Sequence, residues 1–266
     1  MNPFRLTVLG LCLVGASSVW AEELIVDFRK SDDIGLLFPG KIVGPGVLTV
    51  SPGGQPAAML PTGDSGNFLY SLKKPLANSG ADVEVTVDFW TTTPTASTPG
   101  LALVTGLSAV PGPQSALGYK GADTDGSIGV PRSSTGTGEA FEDAQASVTI
   151  ALRFSPDGKW SLMAFNDSSR QGTAISETFP LEEGKQYRWI TRYAPVAKRP
   201  GFEFTSQIFE VTASGGKGTP VAPAYSQQVA NEALFGASSF FAVIGSQQGG
   251  ARGVEKIDHF GVKSVK

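Results

Sequence analysis

The sequence predicts an all-β protein, a two-sheet antiparallel sandwich with little helix. Three observations carry that expectation. Apolar residues recur at every second position along several segments, the pattern of a half-buried strand. Glycine (33) and proline (18) punctuate the 266 residues at short intervals, while charged residues make up only 17%; turn-rich all-β chains have this composition. Segments with a helical period are nearly absent. Hydrophobic residues at 41% keep the chain globular rather than disordered.

Candidate strands open at 24–28, 47–50, 68–72 and 101–105. In Val83-Glu84-Val85-Thr86-Val87-Asp88-Phe89 the apolar residues share one face and Glu84, Thr86 and Asp88 the other. Val148-Thr149-Ile150-Ala151-Leu152-Arg153-Phe154 repeats the pattern and runs into Ser155-Pro156-Asp157-Gly158, where proline presets φ and glycine accepts a positive φ. Lys159 to Phe165 returns, so 148–165 reads as a β-hairpin. Gly184-Lys185 turns into a strand at 186–193, with Tyr187, Trp189, Thr191 and Tyr193 on one face and Arg188 and Arg192 opposite. Strands follow at 202–211, at the apolar run 240–244 expected to be covered on both faces, and at 254–262. The one helix expected is 226–234, with Ser226 as N-cap and Gly236 as stop. Segments 91–99, 111–146 and 214–223 read as loops, and a long loop in a compact domain is functional or disordered.

The first 21 residues have the make-up of a secretory leader. Arg5 precedes an apolar stretch from Leu6 to Val14, and Val19-Trp20-Ala21 places small residues before Glu22-Glu23. The stretch is short of the roughly 20 residues that span a bilayer. Cleavage after Ala21 is therefore expected, leaving 22–266 as a single sandwich domain, periplasmic or extracellular and not inserted in a membrane. Cys12, the only cysteine, leaves with the leader, which removes thiolate chemistry and cysteine-based zinc sites. Loss of Arg5 takes the formal charge from −3 to −4, and no basic tract points to nucleic acid.

The order of motifs resembles the concanavalin A-like jelly rolls, in particular the laminin-G-like branch, of a secreted bacterial protein. The pieces that carry the resemblance are Val83 to Trp90, the hairpin with Asp157-Gly158-Lys159-Trp160 at its turn, Leu181 to Trp189 with its Gly-Lys turn, and the ending Gly253 to Val262. The resemblance implies two antiparallel sheets and binding of a glycan or a protein; some relatives hydrolyse polysaccharides, so fold alone does not assign function.

Glycoside hydrolysis needs two carboxyl groups about 5–10 Å apart. The hydrolases of this fold carry Glu-x-Asp-x-x-Glu on a strand, and no Glu-x-Asp occurs here. Glu84 and Asp88 share a face but lie roughly 13 Å apart along it; a cross-strand pair is left open. His259 is the only histidine, and no Gly-x-Ser-x-Gly elbow accompanies it. Calcium, which the resemblance suggests, would fall to Asp123 and Asp125 in Asp123-Thr124-Asp125-Gly126; as an EF-hand this loop fails, since Arg132 stands where the closing Glu belongs. Asn166-Asp167 is a second such turn. The aromatic face of Tyr187, Trp189 and Tyr193, edged by Arg188, either stacks on sugar rings or fills the core. The expectation is thus a non-catalytic carbohydrate-binding module. A structural or protein-binding envelope component and a divergent polysaccharide-cleaving enzyme are the alternatives.

Overall fold

The computed structural model describes residues 22–30, 33–39, 49–50, 58–59, 67–93, 100–109, 147–155, 157–166, 173–196, 200–247 and 253–265. In chain order the strands begin with β1 (Glu23–Asp27), β2 (Leu37–Pro39), β3 (Thr49–Val50), β4 (Ala58–Met59), β5 (Asn67–Leu72) and β6 (Leu76–Ala77). Then come β7 (Asp82–Thr91), β8 (Gly100–Ser108), β9 (Ser147–Phe154), β10 (Trp160–Asn166), β11 (Thr173–Ala174) and β12 (Gln186–Pro195). The chain closes with β13 (Gly201–Val211), β14 (Lys217–Pro220), β15 (Tyr225–Ala230), the helix α1 (Glu232–Phe235), β16 (Ser239–Gln247) and β17 (Val254–Val265).

All the pairings are antiparallel and fall into two sheets. The nine-stranded sheet runs β14-β13-β12-β7-β17-β4-β3, with β1 also on β17 and β15 also on β13. The eight-stranded sheet runs β11-β10-β9-β8-β16-β5-β2, with β6 on β16. The two sheets meet over one apolar core: Val83, Val85, Val87 and Phe89 from β7, Tyr187, Trp189 and Tyr193 from β12, and Leu103, Ile150, Leu152 and Phe154 from the facing sheet. The predicted sandwich and its main strands are present. The hairpin β9–β10 forms in full register, with Gly158 at φ 77°, and Gly184 turns into β12 at φ 73°. Only glycine takes such a φ without strain.

The run 240–244 is indeed covered on both faces. Phe240, Ala242 and Ile244 join the core, while Val243, on the other face beside Gly106 and Ser71, is also fully buried.

Two expectations are corrected. The segment 226–234 is not one helix: Tyr225–Ala230 forms β15 along an edge of β13, with Val229 buried, and only Glu232–Phe235 is helical. The cap is Asn231, whose side chain accepts from the Leu234 amide; Gly236 does end the turn. An unpaired strand edge offers six residues a full ladder, which outweighs a helix too short to be stable alone. Part of the loop 214–223 likewise becomes β14, paired with Phe209 and Val211 of β13. The leader 1–21, Asp123, Asp125 and Asp167 lie outside the described residues. Among the described residues no helix is long and apolar enough to cross a membrane.

Trp189 is fully buried and donates from Nε1 to Ser206 Oγ at 2.7 Å. Trp189→Ala should lower the unfolding free energy by about 3–5 kcal/mol in a urea titration.

Candidate functional site

Tyr187, Trp189 and Tyr193 share a face, as expected, but that face is the core. Their exposures are 1%, 0% and 0%. Tyr187 Oη accepts from the Glu182 amide at 2.8 Å, and Tyr193 packs edge-on against Phe202. No ring face is left for a ligand, so the stacking role expected of these three residues is withdrawn. The reason is packing: in a two-sheet sandwich the largest rings fill the space between the layers. Trp160 is buried as well. Arg188, on the opposite face of β12, points away from the core and into a cleft.

That cleft, about 500 Å³ in volume, lies on the outer face of the nine-stranded sheet. Its lining comes from Arg29 after β1, Asp88 on β7, Gln186 and Arg188 on β12, the β13–β14 hairpin 211–215, and Asp258 and His259 on β17. Arg188 sits directly opposite Asp88 in register and binds both its carboxylate oxygens, Nε at 2.7 Å and Nη2 at 2.6 Å. Nη2 also donates to the Gly215 carbonyl at 3.2 Å, tying the hairpin tip to the sheet. Asp88 is only 3% exposed. The carboxylate beside it raises the Arg188 pKa above its ordinary value.

Asp258 owes its position to a β-bulge. The register of β17 against β7 shifts between Ile257 and His259, so Asp258 is the extra residue of the strand. Its backbone carbonyl accepts from the Phe28 amide at 3.0 Å. Its side chain reaches Arg29 Nε at 3.2 Å and Gln186 Nε2 at 3.5 Å. Arg29 is held mainly by Asp27, whose Oδ1 accepts from both its amide and its Nε at 3.0 Å. Burial raises the Asp258 pKa; Asp27 and Asp88 push the same way against Arg29 and His259. Burial lowers the pKa of His259, which stands opposite Asp88 in register. Burial thus favours the uncharged imidazole, against the pull of Asp88 and Asp258.

No protein-family model matches this chain, and no curated protein matches it in sequence. Solved structures do match. Peanut lectin with a 9mer peptide is 13% identical, with a TM-score of 0.53 over 92% of this chain and 98% of that one. Lectin UEA-II complexed with galactose is 10% identical, with a TM-score of 0.52 over 92% and 99%. Basic winged bean lectin with Tn-antigen is 11% identical, with a TM-score of 0.51 over 92% and 98%. The fold is a concanavalin A-like jelly roll. Identities this low carry the fold and nothing further.

The geometry bears on chemistry. Among the described residues no group of three or more His, Cys, Asp or Glu side chains could hold a metal ion. At the cleft the carboxylates face guanidinium groups instead, so these residues do not fit calcium. Asp88 and Asp258 are two carboxyl groups in one cleft, the cross-strand arrangement left open by the sequence. Both oxygens of Asp88, however, are bound by Arg188, which leaves a poor nucleophile or base. Asp27, Arg29, Gln186 and Asp258 were not singled out from the sequence. The one signal was the spacing of the buried apolar residues in β17: Val254, Ile257, Phe260 and Val262 break strict alternation.

Folding favours the protonated form of Asp258. The stability this contributes is complete below the ordinary aspartate range and is lost as pH rises through the raised value. Asp258→Asn should therefore raise Tm near neutral pH, and the gap over the parent protein should close on acidification, as read by thermal melts across pH 3–8.

Proposed function

We propose that this chain is a secreted, non-catalytic glycan-binding module and that the outer-face cleft is its site. The observation that carries the reading is the cleft's lining: guanidinium donors, carboxylate and carbonyl acceptors and the Thr212 and Ser214 hydroxyls, all held on paired strands or on a tethered hairpin. Sugars present hydroxyls that both donate and accept, and a preformed site of mixed polarity suits them. An aromatic residue shares the strand face that carries Asp88. Trp90 lies two residues beyond Asp88 on the same face of β7, opposite Gln186 in register, and is partly exposed. The lectin fold adds support as an analogy. The leader-like residues 1–21 support export, to the periplasm or beyond.

Purified protein should be retained on a polysaccharide and glycan array without releasing reducing sugar. Ser214→Trp, which fills the cleft from an exposed hairpin position, should abolish retention, and Trp90→Ala should weaken it by about tenfold or more. Clean absence of binding by folded protein would transfer the weight to a protein-binding role. Export predicts a mature N-terminus at Glu22, read by N-terminal sequencing of the protein recovered outside the cytoplasm.

A further inference from the structure

Asp258 is 8% exposed, and its Oδ1 has no hydrogen-bond partner. Arg29 Nε lies 3.2 Å from that oxygen, but Nε carries one hydrogen, and it is directed at Asp27 Oδ1. Asp258 therefore receives positive charge from Arg29 without a proton donor. The other oxygen has only a long contact, 3.5 Å from Gln186 Nε2. Oδ1 is closed to solvent, so a donor entering the cleft meets Oδ2, whose single long contact leaves it short of a strong partner.

The cations around it are already matched. Arg188 is bound by Asp88, Arg29 faces Asp27 and Asp258, and Lys30 reaches Asp27 at 3.7 Å. A ligand carboxylate or sulfate would find no uncompensated positive charge and would sit beside an ionised Asp258. A hydroxyl meets no such penalty. It donates to Asp258 Oδ2, and its own oxygen accepts from Arg29 or Gln186.

We propose, building on the glycan-binding reading, that Asp258 is the acceptor that selects the ligand of this cleft, taking a hydrogen bond from a hydroxyl of a neutral sugar and disfavouring acidic glycans. A hydrogen bond to the ionised carboxylate is the stronger kind, so binding weakens as Asp258 becomes protonated. The groups facing it are Asp27, Arg29 and Lys30 at the end of β1, Asp88 on β7, Gln186 and Arg188 on β12 and the titratable His259 beside it; the hairpin 212–215 brings no charged side chain.

The test is affinity retention of the purified protein and of Asp258→Asn on glucan, mannan and galactan, and on polygalacturonate and alginate, between pH 4 and 8. The parent protein should be retained on a neutral polymer, more weakly on both acidic ones, and less as pH falls. Asp258→Asn, with a Tm no lower than the parent's, should bind the neutral polymer roughly 10- to 100-fold more weakly, with a flatter pH profile. Retention by folded Asp258→Asn equal to the parent's, or a parent that prefers the acidic polymers, overturns the role of Asp258 while leaving glycan binding in place. A parent protein retained on no polymer overturns both.

Discussion

Arg188 binds both oxygens of Asp88 across the central pair of strands in the nine-stranded sheet, and much of the molecule depends on that contact. Two charges withdrawn from water cost several kcal/mol, which only good geometry offsets. Here the geometry is bidentate, and the Gly215 carbonyl takes a further donor of the same guanidinium. The pair therefore joins two strands and a hairpin that are far apart in sequence. It also pins register: a slip of one residue between β7 and β12 would break it and turn Trp189 out of the core.

Strand β12 divides stability and recognition between its two faces. Tyr187, Trp189 and Tyr193 point inward, with Trp189 Nε1 satisfied by Ser206 and the Tyr187 hydroxyl by a backbone amide. Gln186, Arg188 and Arg192 point outward; Arg192 pairs with Asp82, while Lys263 pairs with Glu84 on the neighbouring strand. Around β7 the outer face thus carries cross-strand ion pairs, which contribute little stability where solvent reaches them. The cleft interrupts these pairs where the hairpin covers Asp88 and the bulge brings Asp258 forward.

The bulge in β17 is what makes the cleft more than a gap between ion pairs. An extra residue in a strand re-aims its neighbours, and here it sets Asp258 and His259 beside each other at the cleft. The end of β1, which pairs with the same strand, returns Arg29 to the spot. The outcome is one carboxyl held by charge but short of hydrogen-bond donors, in a wall where the other charges are satisfied.

Much of the fold could be read from the sequence because its rules are local. Alternation in Val83 to Phe89 and Val148 to Phe154, and glycine at 158 and 184, depend on neighbours a few residues away. Where a local preference competed with a free strand edge, as at Tyr225–Ala230, the edge won and the helix shrank to Glu232–Phe235. The site was much less visible. Alternation tells which residues share a face of β12; which face is inward depends on where the second sheet packs, so the aromatic side was first a binding candidate and proved to be core. Of the four ligand-binding residues proposed from sequence, all of them described, Arg188 alone reaches the cleft, and its partner Asp88 is 100 positions away. The sequence by itself determined the strands, their turns and the sandwich, because period-two burial and positive-φ glycines are properties of short segments. Only the tertiary structure decided the site, because its charges meet through sheet pairing and a bulge that join the two ends of the chain to its middle.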